Sequence, residues 1–549
     1  LAAACILTAR LWCAPAIVDA ARSDDETAVA ALLAQKAEVD AREGDGTTAL
    51  AWAAMRSNQR IAALLLKAGA DPNLTNEIGI GPLSLAISNG SAEMVRLLLE
   101  NGANPNIARE NGETPLMTAA RIGQVEVVRQ LLDRGADLNA RDRKFGQTAS
   151  MWAAGSPSIV RLLVDRGADL SATTNTWDVK ATIYTPIVGT LGKTGIPWNT
   201  DGEYTSRKGG LNALFFAVQR MDLESARILV EAGLDVNAAS ADGTTPLLAA
   251  LYKWNSHSSV FVPGRGAPAP AGSSGRFSPD LPMARFLLDR GAKVNVADSA
   301  GYTPLHGAVL AVANLSGGGF GRGRRRGDNP AKADAAATEE ALALVRRLLD
   351  AAADPNRQTI YPTTGPAGDV RINPAPPGSS AFHIAAVSNN LALVKLLADR
   401  GANPNLVGKD GHTPFTAAVQ ARNLDIVKEM VARGAHLEAR YDPADKIPDP
   451  VESIALPRRQ QTIMHIAVIA ASAAIIEYLR SQGARLDLKN AMGETPLALA
   501  DHQERYREAR QREAAEGDPE RLKGVVRQTT ITDAIKKLLT PNASAAVRD

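Results

Sequence analysis

The 549-residue sequence predicts an all-α solenoid, a stack of short helix pairs with projecting turns and long loop insertions, on three observations. One phrase, seen in LLLKAGADPN (64–73), LLLENGANPN (97–106), LLDRGADLNA (131–140) and LLADRGANPN (396–405), recurs along the chain. A second phrase, seen in NGETPLMTAA (111–120), DGTTPLLAA (242–250), AGYTPLHGA (300–308) and DGHTPFTAA (410–418), follows it. Only 4% of the residues are aromatic against 45% hydrophobic, which suits thin Ala/Leu layers between paired helices better than separate globular cores. A fixed internal period of this kind is the signature of repeat architectures.

The first element is a terminal segment, residues 1–16. Its apolar run LAAACILTA, followed by the small-x-small site Ala14-Pro15-Ala16, reads as the tail of a secretory signal ending where the first helix pair begins. The expected location is therefore periplasmic or secreted, with a cytoplasmic protein as the alternative. A lipid anchor on Cys5 is the lesser reading. Cys5 and Cys13 are the sole cysteines, so a disulfide scaffold and a Cys-based zinc site in the body are excluded. No later apolar run approaches the roughly 18 to 20 residues that span a bilayer.

The repeat unit follows from local chemistry. Thr114, Thr245, Thr303, Thr413 and Thr495 each precede a proline, the order of an N-cap hydroxyl followed by a first helical residue that needs no amide hydrogen. That starts a short inner helix, whose small residues such as Ala119 and Ala120 let neighbours approach closely. A turn leads to an outer helix with apolar residues at helical spacing, as in Val127, Val128, Leu131 and Leu132. Gly135 ends that helix in the left-handed conformation. Gly69, Gly102 and Gly135 lie 33 apart, and Gly167 follows after 32. The Asp-x-Asn and Asp-Gly phrases then form a turn projecting sideways.

In these motifs the chain resembles the ankyrin-repeat family, as a bacterial-type multi-repeat array. The family motif is Thr-Pro-Leu-His-x-Ala with a 33-residue period, and the resemblance covers roughly residues 14 to 540. It implies about twelve helix pairs, starting near 14, 48, 81, 114, 148, 211, 245, 303, 380, 413, 462 and 495. The motif histidine survives at His306, His383 and His465, where the resemblance implies a structural role linking adjacent repeats. It also implies that fingers and inner-helix ends form a concave groove where a protein partner binds. By position the groove carries Met55, Arg56, Ser88, Asn89, Arg121, Ile122, Gln219, Arg220, Tyr252 and Lys253 in the first half, a basic and polar set suited to an acidic partner. The second half carries Leu310, Val387, Gln420, Ile469 and His502. Trp52 and Trp152, in one repeat slot, read as core plugs.

The period breaks after residue 171. Regular repeats occupy 17–171, a long finger insertion rich in threonine occupies 172–208 and reads as an extended β-like finger, repeats with insertions run through 209–540, and a tail closes 541–549. Insertions at 357–378 and 440–458 lengthen other fingers. Those at 255–280, 315–337 and 503–529 fall between inner and outer helices. Insertions in repeat proteins map to loops, often on a functional face.

Chemistry is scarce. With 61 basic and 59 acidic side chains the net charge is +2, which excludes function through a global field. The seven histidines form no HExxH pair, there is no G-x-S-x-G elbow, and Asp442, Asp445 and Asp449 lack the central glycine of a calcium loop. No catalytic residue, metal site or cofactor is expected. The run SGGGFGRGRRRG (316–327) lacks a P-loop lysine; with Arg322, Arg324, Arg325, Arg326 and Phe320 it supports nucleic-acid or anionic-polymer binding as the alternative to a protein-protein interaction scaffold. A monomer without a transmembrane segment is expected.

Overall fold

The computed structural model describes residues 15–185, 199–251, 279–316, 335–360, 378–408, 411–441, 460–515 and 533–540, the side chains of 179–206 and 506–515 excepted. The signal-like segment with both cysteines, Tyr252 and Lys253, the arginine run 322–326, the Asp442/Asp445/Asp449 loop, the tail, residues 186–198 of the 172–208 insertion and most of each other insertion lie outside these residues. Two compact units make up the chain, the first Leu1–Asp178 with Arg207–Asp242, the second Val179–Ser206 with Gly243–Asp549.

In the first unit, inner and outer helices alternate: α1 (Ala16–Arg22) with α2 (Glu26–Ala34), α3 (Ala49–Arg56) with α4 (Gln59–Lys67), α5 (Pro82–Ser88) with α6 (Ala92–Glu100), α7 (Pro115–Ile122) with α8 (Val125–Asp133), α9 (Ala149–Trp152) with α10 (Pro157–Asp165), and α11 (Ala213–Gln219) with α12 (Leu223–Glu231). Local chemistry sets these boundaries. The hydroxyls of Thr48 and Thr114 accept from the amides of Ala51 and Met117, starting α3 and α7. The side chains of Asp25, Asn58, Ser91 and Asp222 do the same for α2, α4, α6 and α12. Each such cap is worth about 1 kcal/mol. Gly135 takes φ +82° just past α8, where a side chain would be strained.

Helices this short do not hold themselves in water, and their stability comes from the buried face. Leu116, Ala119 and Ala120 of α7 and Val127, Val128 and Leu131 of α8 are all buried. Consecutive inner helices α1, α3, α5, α7, α9 and α11 pack side by side, as do the outer helices. Each layer thus packs chiefly against its neighbours, the energetic hallmark of a solenoid.

A polar ladder joins the layers along the turns. Asp71 and Asp137 accept from the amides of Asn73 and Asn139, closing the local turn at 2.9 Å. The asparagines then reach the next repeat: Asn73 Oδ1 accepts from Asn104 N at 2.7 Å while its Nδ2 donates to Gly102 O at 3.0 Å. Asn106 repeats this with Asp137 N and Gly135 O at 2.6 and 2.9 Å. The Asp-x-Asn phrase therefore serves two purposes, an internal turn and a link to the following layer.

The second unit alternates in the same way: α13 (Pro246–Leu251) with α14 (Leu281–Asp289), α15 (Pro304–Leu315) with α16 (Ala335–Asp350), α17 (Ala381–Ala386) with α18 (Leu391–Ala398), α19 (Pro414–Gln420) with α20 (Leu424–Ala432), α21 (Ile463–Ile469) with α22 (Ala473–Ser481), and α23 (Pro496–Ala515) with α24 (Asp533–Leu539). Its asparagine ladder continues through Asn295, Asn356 and Asn405, which accept from Asp354, Asn403 and His436 amides at 2.8 Å. A histidine ladder is added. Nδ1 of His306, His383 and His465 faces the amide and hydroxyl at the start of its own helix, while Nε2 meets the carbonyls of Ser379, His412 and Glu494 in the next layer at 3.3, 3.1 and 2.9 Å. An Nδ1 that accepts from an amide leaves Nε2 to carry the proton, so these rings are neutral donors. Burial drives the pKa of His306 down to about 4 and lowers that of His465.

Among the described residues four strands accompany the helices. β1 (Thr176–Thr185) and β2 (Asn199–Gly209) form a two-stranded sheet within the 172–208 insertion and its flank. β3 (Arg440–Tyr441) pairs antiparallel with β4 (Gln461–Thr462) at the base of the 440–458 insertion, and a bridge between Gln358 and Ser380 stands at the base of 357–378. One surface assignment is corrected: Leu310 is only 4% exposed. Helix α15 runs 12 residues, longer than the other inner helices nearby, and packs against α16, so Leu310 falls mid-helix in the core instead of at an open end. Val387 and Ile469 are half-buried, Gln420 is exposed, and His502 pairs with Glu494 at 2.8 Å. Among the described residues no helix is long and apolar enough to cross a membrane.

Candidate functional site in the first unit

Side-by-side packing of α3, α5, α7, α9 and α11 sets their C-terminal ends in a row. That row carries eight of the ten positions assigned from the repeat pattern; Tyr252 and Lys253 lie outside the described residues. Met55, Arg56, Ser88, Asn89, Arg121, Ile122, Gln219 and Arg220 are all exposed, yet they are not equivalent.

Two of them are spent on the frame. Asn89 Nδ2 donates to the carbonyls of Ala54, at 3.4 Å, and Met55, satisfying the open end of α3 from the next repeat. Ser88 Oγ donates to Ser84 O at 2.8 Å, and Gln124 Nε2 caps Ile87 O at 2.8 Å, so α5 ends in the same manner. The last carbonyls of a helix have no partner within it, which is why a neighbouring amide side chain is drawn there. These bonds stiffen the row and leave Met55, Arg56, Ile122, Gln219 and Arg220 facing outward, with Met55 and Ile122 39% and 43% exposed.

Arg121 is held differently. Its Nη2 lies 3.3 Å from Glu113 Oε1, and its guanidinium lies over the Trp152 ring of the next repeat at 5.5 Å. Glu113 is buried and also receives Arg109 at 3.4 Å and the Thr118 hydroxyl at 2.8 Å. A carboxylate between two guanidiniums with a hydroxyl donor has its lone pairs satisfied.

The first repeats contain the same motif in closed form. Arg22 lies over Trp52 at 5.1 Å and pairs with Glu43, and Glu43 Oε1 accepts from Trp52 Nε1 at 2.7 Å. Arg22 and Arg121 occupy one repeat slot, 99 residues apart, and Trp52 and Trp152 occupy another. Trp152 is buried, as its reading as a core plug requires, but its Nε1 has no hydrogen-bond partner, nor do Thr148 Oγ1 and Gln147 Nε2.

The repeat around Trp152 is also contracted. Thr148 to Gly167 spans 19 residues where Thr114 to Gly135 spans 21, and α9 is four residues long where α7 has eight. Gly155 follows with φ +99°, and the Arg220 side chain crosses it so closely that a Cβ there would meet Arg220 Cδ at 3.2 Å. Partial burial of the guanidinium lowers the Arg220 pKa; Asp222 opposes this and the charge of Arg121 adds to it. The 32-residue step between Gly135 and Gly167 was the sequence signal for this place. Among the described residues no group of three or more His, Cys, Asp or Glu is placed to hold a metal ion.

Known proteins share the repeat. A family model described as ankyrin repeats (3 copies) matches residues 17–109, 83–174 and 333–441. The chain is 28% identical over 123 residues to a transient receptor potential cation channel subfamily A member 1 homolog of Caenorhabditis elegans, covering 22% of the chain and 9% of that protein. It is 30% identical over 176 residues to ankyrin repeat and SAM domain-containing protein 6 of Danio rerio, covering 32% and 22%. It is 26% identical over 326 residues to rabankyrin-5 of Homo sapiens, covering 53% and 26%. The chain thus spans about a quarter or less of the length of these relatives, which are animal proteins.

Proposed function

Because the chain is an ankyrin-repeat protein, we propose that it acts as a non-enzymatic protein-interaction scaffold whose first unit binds a partner along the row of inner-helix ends. The observation that carries this reading is a set of outward side chains, Met55, Arg56, Ile122, Gln219 and Arg220, on a frame whose helix ends are already capped by neighbouring repeats. A frame that is fixed before binding loses little conformational entropy on association. Arginine and methionine are enriched at the cores of protein interfaces. A standard interface buries about 800 Å² on each partner, an area that a few consecutive repeats supply. The arginines favour a partner with acidic side chains.

The test is quantitative capture of partners by the intact chain and by Arg56→Glu/Arg220→Glu. Charge reversal at the exposed outer-helix residues Arg129 and Arg161 serves as the control. The proposal expects the first variant to lose a specific partner at least tenfold while the control retains it. Equal recovery by both variants refutes the row as the binding surface.

A further inference from the structure

We infer that α2, the outer helix of the first described layer, is a docking face for residues 1–14 of the same chain, which run directly into α1. The inference concerns the end of the array and stands apart from the binding row. Comparison of α2 with the outer helices that follow it carries the argument. Lys36, Gly69, Gly102 and Gly135 hold one helix-ending slot. The positions eight and four before it are Ile61 and Leu65 in α4, Met94 and Leu98 in α6, and Val127 and Leu131 in α8, each no more than 1% exposed. The same two positions are fully buried in α10 and α12. In α2 they are Ala28 and Leu32, and both are only half-buried. Val29, one position on, stays fully buried. Helix α2 therefore packs normally on α1 and α4, and among the described residues no helix stands on its other side, in the place that α2 itself takes for α4.

The open surface of α2 is also apolar where later outer helices are charged. Six and two positions before the slot stand Arg96 and Glu100, Arg129 and Asp133, and Arg161 and Asp165. In α2 these are Ala30 and Ala34, both exposed, as is Ala31. Glu26 is the one charged residue of its nine. A terminal repeat open to water needs a polar outer face, and a contiguous exposed apolar face marks a contact site. The adjoining chain fits that face. Residues 1–14, LAAACILTARLWCA, carry Leu1, Ile6, Leu7, Leu11 and Trp12, with Arg10 as the single charge. A short turn joins α1 to α2, so the start of α1 lies beside the end of α2, near Leu32. From there a segment of this length reaches up to roughly 45 Å, well beyond the roughly 13 Å of a nine-residue helix. A tethered segment meets the face at an effective concentration on the order of millimolar, which favours it over a second copy. The link itself is folded. Pro15 O accepts from the amides of Val18 and Asp19 at 2.8 and 3.1 Å, and Ala16 is the first residue of α1, so a cut after Ala16 would remove the start of that helix.

Cys5 and Cys13, the sole cysteines of the chain, both lie in the segment, and disulfide trapping in the intact chain uses them. In a Cys5→Ser background, Ala31→Cys treated with oxidised glutathione should form a disulfide within one chain between Cys13 and the introduced thiol, read by peptide mass. Adding Leu11→Asp/Trp12→Asp keeps the tether and removes the apolar contact, and should slow trapping at least tenfold. In the chain with its native cysteines, the same double substitution should speed hydrogen exchange of the α2 amides at least tenfold and leave α6 and α8 unchanged. Equal trapping rates with and without Leu11→Asp/Trp12→Asp, a disulfide that joins two chains, or unchanged exchange in α2 overturns the inference. So does a mature chain, isolated from cells, that begins after residue 14.

Discussion

Replacing Asn106 by alanine removes both bonds that its side chain makes to the following repeat, Oδ1 to the Asp137 amide at 2.6 Å and Nδ2 to the Gly135 carbonyl at 2.9 Å. Each is worth about 0.5–1.5 kcal/mol net, and both are solvent-exposed, so the lower part of the range applies and the expected loss is about 1–2 kcal/mol. Asn139 provides a graded comparison. It accepts from Asp169 N at 2.8 Å and, among the described residues, donates no bond to the next repeat, so Asn139→Ala should cost about half as much. Since a long repeat array does not unfold in one step, the assay is hydrogen exchange at single amides instead of a global melt. The Asp137 amide should lose protection in Asn106→Ala and the Asp169 amide in Asn139→Ala, each with little change at the other. Unchanged protection of Asp137, or equal costs for the two variants, would refute the view that these asparagines bind the layers together.

The histidine ladder predicts acid sensitivity of the second unit. His306 has a folded pKa of about 4 against an ordinary 6.5, so the unfolded chain binds the proton first as pH falls. Stability from this group is complete above pH 6.5, declines by about 1.4 kcal/mol per pH unit down to about pH 4, and is then lost, about 3 kcal/mol in all. Exchange rates in α15 and α17 measured across that range should show the slope, and His306→Gln should flatten it. Ala352 and Lys36 occupy the helix-ending glycine slot with φ +61° and +59°. Ala352→Gly and Lys36→Gly should each stabilise their repeat by about 0.5–1 kcal/mol, since an L residue pays a steric penalty there; denaturation midpoints that fall instead would contradict the reading. Glu113→Gln should leave Arg109 and Arg121 without their shared counter-charge and weaken protection in α7.

Much of the repeat was legible because its instructions are local. Thr114-Pro115 and Thr413-Pro414 mark helix starts through a hydroxyl and a missing amide hydrogen, both properties of adjacent residues. Gly135 marks an end through its own backbone. What escaped the reading is what depends on partners one repeat away. Asp137 and Asn139 read as a turn, which they form, but the same asparagine class also ties each layer to the next. Ser88 and Asn89 hold positions on the binding row and are exposed, yet Ser88 Oγ bonds a carbonyl of its own helix and Asn89 the end of the preceding inner helix. Leu310 was misplaced because the length of α15 depends on its packing against α16, which no local signal announces. The contraction at Trp152 was visible as a 32-residue step, but only the packed structure shows an arginine over the ring and an indole without an acceptor.

The central claim is that partners contact the first unit at its inner-helix ends. A photo-crosslinking residue placed at Ile122, exposed at the end of α7, tests it most directly against the same residue at Arg161 on outer helix α10. Crosslinks to a discrete protein from position 122, lost in Arg56→Glu/Arg220→Glu and not seen from position 161, are the predicted result. Crosslinks from 161 with none from 122 would contradict it.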